Sequence, residues 1–187
     1  MTINLKNFLS DKKKLSKMGE FQDLKEIEGL EISSVSADLY GNGRDDLTLF
    51  YFKEGAHYAC MTTSSSILSE TINWNQKSNK KSIKALMINT KNANTFTGEQ
   101  GIYSLDEISK NLSRCLTLKE SKSEAGITET VKIKDILFAS TGVIGEKFPL
   151  EKINNTIQLL VDKLRSEQNK IIWVKTASAI ITTDTRP

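Results

Sequence analysis

Residues 136–145 read Ile-Leu-Phe-Ala-Ser-Thr-Gly-Val-Ile-Gly. Ile136-Leu137-Phe138-Ala139 has the pattern of a strand buried on both faces. The run stops at Ser140-Thr141-Gly142. A glycine directly after a buried strand lets the chain turn sharply and bares its N–H. Pro149 then leads into Leu150, Ile153, Ile157, Leu160, Val161 and Leu164, the apolar stripe of a helix with proline in its first turn. Strand, glycine turn and amphipathic helix in succession predict a domain that mixes strands and helices.

The same pattern occurs upstream. Ala85-Leu86-Met87-Ile88 is a second buried-strand run, and Asn89-Thr90-Lys91-Asn92-Ala93-Asn94 after it is turn chemistry. Ser104-Leu105-Asp106-Glu107 reads as a capping box, and Leu105, Ile108, Leu112, Cys115 and Leu116 fall at helical spacing. Ile32 to Leu39 and Leu47 to Phe52 read as strands, and Asn42-Gly43 between them predicts a hairpin with a tight turn. Residues 73–84 read as a polar connection and 119–129 as a charged loop. Ala177, Ala179 and Ile181 alternate, predicting a strand that runs into Thr182-Thr183-Asp184-Thr185. Hairpins beside about two long helices favour a layered α+β arrangement over a doubly wound parallel sheet. Residues 1–27 are polar and Lys-rich, a loose arm, and 28–187 form one domain. No internal repeat is present.

Composition narrows the class. The 187 residues can bury a core, and 38% apolar with 26% charged residues fits a globular chain. Twenty-six basic residues are nearly balanced by 23 acidic ones, and they are interspersed, so nucleic acid is not the expected partner. Lys12-Lys13-Lys14 has no interleaved aromatics and reads as surface. No apolar stretch is long enough for a membrane span or a signal peptide. Cys60 and Cys115 match no disulfide or metal framework. The expected setting is the cytoplasm, with no membrane partner and no resident cofactor.

The candidate chemistry is sparse. His57 is the only histidine, and Cys60, three residues on, would face the other side of a strand, so a structural histidine is the safer reading than a Cys–His pair. Thr141 and Gly142 offer a hydroxyl and an exposed N–H, two donors that can hold a developing oxyanion; a strand-end turn has the same residues. The three asparagines of 89–94, with Thr97-Gly98-Glu99-Gln100-Gly101, read either as a turn whose amides satisfy backbone groups or as a polar wall for an amino-acid-like ligand. Chemistry alone favours the turn.

Taken together, these segments resemble the ornithine acetyltransferase family. Residues 89–94 with 97–101 resemble its Asn-rich "NSGNAN…TGEQG" signature. Residues 139–145 resemble "ASTGVIG", 182–185 resemble "MTTDT", and Gly43-Arg44-Asp45-Asp46-Leu47 resembles an early "GRxDLALI" strand. The matches fall in family order across residues 28–187. The resemblance implies the N-terminal half of an α/β/β/α sandwich. It implies acetyl transfer from N-acetylornithine to glutamate through an acyl-threonine, with acetyl-CoA a further donor in some members. It assigns the oxyanion hole to Thr141 (hydroxyl) and Gly142 (N–H), and substrate contact to Thr182. It implies self-cleavage before a threonine, and assembly with the resulting β chain, two α and two β chains together. That nucleophile is expected beyond Arg186-Pro187, so the chain alone is expected to be an inactive part of an acyltransferase.

Departures stand beside the matches. Thr90-Lys91 replaces Ser-Gly, which strains Lys91 if the glycine's φ is positive. Phe96 replaces a small residue, Met61-Thr62-Thr63-Ser64 is a loose "FTTN", and 62–84 match poorly. The competing readings are a self-processing amidohydrolase or aminopeptidase of similar architecture, and a non-catalytic binding module.

Overall fold

The structure, a computed structural model, describes residues 24–78, 81–121 and 130–184. Most of the expected arm with Lys12-Lys13-Lys14, most of the expected charged loop, and Thr185 to Pro187 lie outside these residues. In chain order the elements are β1 (Leu30–Val35), β2 (Leu47–Ala56), α1 (Glu70–Lys77), β3 (Ile83–Asn89), α2 (Gly98–Ser121), β4 (Ile136–Ser140), α3 (Leu150–Asp162) and α4 (Lys170–Ile180).

The strands form one mixed sheet in sequence order. β1 and β3 flank β2 antiparallel, and β4 joins β3 in parallel. This is the expected mixed α/β class. One face carries Leu47, Leu49 and Tyr51 of β2, Ala85 and Met87 of β3, and Phe138 of β4. The stripes of α2 (Leu105, Ile108, Leu112, Leu116) and α3 (Ile153, Ile157, Leu160, Val161) close over it. Each such side chain contributes about 1.5–3 kcal/mol by leaving water. α4 lies on the opposite face, where Trp173 meets Phe50 with ring centroids 6.4 Å apart and Lys175 Nζ donates to the Ser34 carbonyl at 3.3 Å.

The expected helix of Leu150–Leu164 and the strands at 85–88 and 136–139 are present. Other expectations need correction. The β1–β2 hairpin forms, but β1 ends at Val35 opposite Leu47. Residues 36–46 therefore make a long loop, not a tight Asn42-Gly43 turn. Ser104 is no cap: α2 begins at Gly98, and Ser104 Oγ donates to the Gln100 carbonyl inside it. The same helix runs on to Ser121, into the expected charged loop.

The supposed polar connection 73–84 contains most of α1. Only Thr71 of that helix is buried, so it shows no clear apolar stripe. Specific bonds hold it instead. Trp74 Nε1 donates to the Ile136 carbonyl at 3.0 Å, and the Asn75 amide both donates to the Phe138 carbonyl (2.8 Å) and accepts from its N–H (3.0 Å). Asn75 thus satisfies the free edge of β4 as a neighbouring strand would. Residues 177–180 fall in helix α4, not a strand, and Ile181 is its C-cap. Asn169 caps the other end, its Oδ1 accepting from the Ile172 N–H at 3.0 Å.

The β1 edge is covered too. Ile32 and Arg165 exchange backbone hydrogen bonds at 2.9 and 3.1 Å. The buried Gln168 side chain accepts from the Ile27 N–H and donates to the Ile27 and Leu30 carbonyls.

Candidate active site at the ends of β3 and β4

β3 and β4 run parallel with Asn89 opposite Ser140, so they end together. Loops at the carboxyl ends of parallel strands are where α/β folds build sites. Here the two loops stay paired beyond the strands. Thr141 N–H donates to Asn89 O (3.1 Å), Val143 N–H to Lys91 O (2.9 Å), Ala93 N–H to Val143 O (2.9 Å) and Gly145 N–H to Thr95 O (2.9 Å). The Asn-rich and Thr-Gly segments, distant in sequence, are one structural unit.

Gly142 makes this approach possible. Its φ is +139°, and a Cβ there would stand 2.2 Å from the Lys91 carbonyl carbon and 2.7 Å from the Asn92 nitrogen. No side chain fits. Thr141 is half-buried and Gly142 exposed. Among the described residues, neither the Thr141 hydroxyl nor the Gly142 N–H makes a hydrogen bond, although the N–H groups of Thr141 and Val143 do. The Thr141 hydroxyl and the Gly142 N–H are thus adjacent, unengaged donors at the end of β4.

The asparagine side chains tie the two loops together. Asn89 Oδ1 accepts from Ser140 Oγ at 2.7 Å while its Nδ2 donates to the Thr90 and Asn92 carbonyls. Asn92 Nδ2 donates to the Glu146 carbonyl at 2.9 Å, and its Oδ1 accepts from the Asn94 N–H. Asn94 Oδ1 accepts from Thr97 Oγ1 at 2.7 Å. A Cβ at Gly101 would lie 2.1 Å from that Thr97 oxygen, so glycine is needed there also. Gln100 Oε1 then accepts from the Phe148 N–H at 3.2 Å, pinning the far end of the Thr-Gly loop. Amides satisfying backbone, the simpler of the two sequence readings, describes Asn89, Asn92 and Gln100; Asn94 Nδ2 is buried and makes no hydrogen bond among the described residues.

The moulded loop is strained. Lys91, Asn94 and Phe96 have φ of +76°, +49° and +58°. Such values are uncommon outside glycine and cluster at functional sites.

The 36–46 loop joins from the other side. Buried Asp46 accepts from the Ala37 and Leu39 N–H groups, both at 2.7 Å, and its carbonyl accepts from the Thr90 N–H at 3.0 Å. Burial pushes the Asp46 pKa up, and the two N–H bonds offset this only in part. Arg44 stacks 4.6 Å from the Tyr40 ring centre and donates to the Ser178 and Ile181 carbonyls at 3.1 and 2.7 Å. It thereby holds the C-terminal end of α4, just before Thr182. Thr182 is half-buried, and no hydrogen bond joins it to Thr141 or Gly142 among the described residues.

The sequence alone assigned no role to Arg44 or Asp46. A carboxylate directly before the strand-forming run of Leu47 was the available signal for Asp46. His57 and Cys60 are both exposed, and His57 Nδ1 pairs with the Lys81 carbonyl at 2.9 Å rather than with Cys60. No group of three or more metal-ligating side chains occurs among the described residues, and no helix there is long and apolar enough to cross a membrane.

The fold, one four-stranded mixed sheet with helices on both faces, defines a mixed α/β protein. It superposes on the ornithine acetyltransferase of Mycobacterium tuberculosis solved with ornithine, with a TM-score of 0.74 at 21% identity, covering 86% of this chain and 79% of that one. It superposes on the arginine biosynthesis bifunctional protein ArgJ of Bacillus halodurans with a TM-score of 0.72, also at 21% identity, covering 88% of this chain and 80% of that one. The chain belongs to the ArgJ family, whose model matches residues 31–187. It is 31% identical over 170 residues to the arginine biosynthesis bifunctional protein ArgJ of Pseudomonas fluorescens, covering 91% of this chain and 38% of that protein. For the protein of the same name from Nitrobacter winogradskyi the identity is 32% over 173 residues, covering 88% and 37%. The chain thus spans well under half the length of these relatives.

Proposed function

We propose that this chain is the oxyanion-holding part of an enzyme that moves an acetyl group from N-acetylornithine to glutamate in arginine biosynthesis. The observation that carries this is the pair of unengaged donors, the Thr141 hydroxyl and the Gly142 N–H, on a turn where only glycine fits. In this reading a threonine outside residues 1–187 attacks the acetyl carbonyl. The carbonyl oxygen becomes an oxyanion and takes both donors. The C–N bond breaks, ornithine leaves with a proton, and an acyl-threonine remains. The glutamate amine then attacks it, giving N-acetylglutamate and free threonine. Donors aimed at the oxyanion act more strongly in the transition state than on the ground-state carbonyl, which is why they accelerate the reaction.

Thr182 contributes to the substrate site, held there by the Arg44 clamp on Ser178 and Ile181. Acetyl-CoA serves as a second donor in the same scheme, with no resident cofactor. The partner is the chain that carries the threonine, two copies of each forming the assembly in the cytoplasm.

The test joins this chain to the part of its relatives that it does not span, and supplies N-acetylornithine with and without glutamate. One N-acetylglutamate per ornithine released, dependent on glutamate, is the expected result. Deacetylation indifferent to glutamate, with no N-acetylglutamate formed, contradicts it and favours a hydrolase.

A further inference from the structure

Lys91 stands out in the loop that packs on Gly142. The family resemblance leads one to expect glycine there, and the backbone agrees, with φ at +76°. A lysine held in that region is strained, and such strain persists only where the surrounding structure imposes it. Its carbonyl carbon abuts Gly142, and its carbonyl oxygen receives the Val143 N–H. Its ammonium lies 5.9 Å from the centre of the Tyr40 ring, the ring on which Arg44 also stacks. A continuous run of contacts therefore leads from Gly142 through Lys91, Tyr40 and Arg44 to Ile181, the neighbour of Thr182.

The two cations differ in their engagement. Arg44 donates to the Asp45, Ser178 and Ile181 carbonyls. The acidic groups nearby are also taken: Asp45 pairs with Lys175 at 3.3 Å, and Asp46 accepts two backbone N–H groups. Lys91 is half-buried, and its ammonium has no hydrogen-bond or ion-pair partner among the described residues. An ammonium without an anion, on the residue whose backbone packs against Gly142, suits a carboxylate ligand.

We propose that Lys91 is a substrate-binding residue that holds a carboxylate of the amino-acid substrate. This rests on the acetyl-transfer reading for the identity of the substrate, but not for the binding itself. Calorimetric titration of the joined protein with N-acetylglutamate, its α-carboxamide and its γ-carboxamide separates the two. The native protein should bind at least one carboxamide about tenfold more weakly than the dicarboxylate, as expected for one lost charged hydrogen bond. Lys91→Met keeps the side-chain length and the backbone strain but removes the charge, and should erase that difference. Lys91→Arg should retain it. Equal binding of all three ligands by the native protein, or the same discrimination in Lys91→Met, overturns the proposal. Discrimination by Lys91 in a protein that transfers no acetyl group would leave the carboxylate site standing and sink the acetyl-transfer reading instead.

Discussion

The Val143 N–H donates to the Lys91 carbonyl oxygen at 2.9 Å. This bond is one of four backbone bonds between the Thr-Gly loop and the Asn-rich loop, and Gly142 is the residue that lets the two backbones come so close. A Gly142→Ala methyl would sit 2.2 Å from the Lys91 carbonyl carbon. The obstacle is backbone, so it cannot swing away. The variant should lose about 3 kcal/mol or more in urea unfolding, from overpacking and from a φ that alanine tolerates poorly. A loss below about 1 kcal/mol would show that the loops are not packed as described.

Strain can also be relieved. Phe96 has φ +58° and is 65% exposed, so little burial is lost on removing its ring. Phe96→Gly should stabilise the chain by roughly 1 kcal/mol through relief of the left-handed backbone. Lys91→Gly should stabilise it by less, because the contact with Tyr40 is lost as well. Equilibrium denaturation measures both, and destabilisation by either variant would argue against the strained loop.

Arg44 clamps the end of α4 through the carbonyls of Ser178 and Ile181. Arg44→Met removes the guanidinium, and with it both the stacking on Tyr40 and the charged donor to those carbonyls. A cost of about 1.5–3 kcal/mol is expected. Amide exchange at 178–184 should rise more than in α2. Uniform change across the chain would mean the clamp is not local.

Glu31 supplies a pH test. Its carboxylate lies between Lys53 (2.9 Å) and Lys119 (2.8 Å). Burial pushes its pKa up, but hydrogen bonds and charge from Lys119 and Lys53 outweigh this and leave it below the ordinary glutamate value. A depressed carboxylate contributes stability that is present above its unfolded pKa, about 4.3, and is lost as pH falls through the folded one. Asp46 has the opposite sign: its raised pKa disfavours the charged native state, so its contribution falls as pH climbs from about 3.9 toward the folded value. Glu31→Gln should therefore flatten the acid-side loss of stability below about pH 4, read from urea midpoints across pH. An unchanged acid slope would contradict the pairing.

The strands at 85–88 and 136–139 and the α3 stripe were legible because burial imposes continuous apolar runs or a helical period. The Thr141-Gly142 turn was legible through its glycine. α1 was not, since Trp74 and Asn75 hold it by bonds to a distant strand edge rather than by an apolar stripe. α4 was mistaken for a strand because Ala177, Ala179 and Ile181 happen to alternate, while its true signal was the Asn169 cap. The role of Arg44 depends on carbonyls at 178 and 181, far along the chain, which no local pattern encodes. The resemblance left the sign of φ at Lys91 open, and the structure puts it at +76°, the strained case.

The most direct test of the central claim is Thr141→Val in the joined protein. The substitution removes one donor and keeps the shape of a half-buried side chain whose hydroxyl makes no hydrogen bond among the described residues. Acetyl transfer from N-acetylornithine to glutamate should fall by roughly 10²–10³ in kcat, as for loss of one oxyanion donor, with the unfolding midpoint little changed. Near-native turnover in a folded Thr141→Val protein would contradict the assignment of this turn as the oxyanion hole.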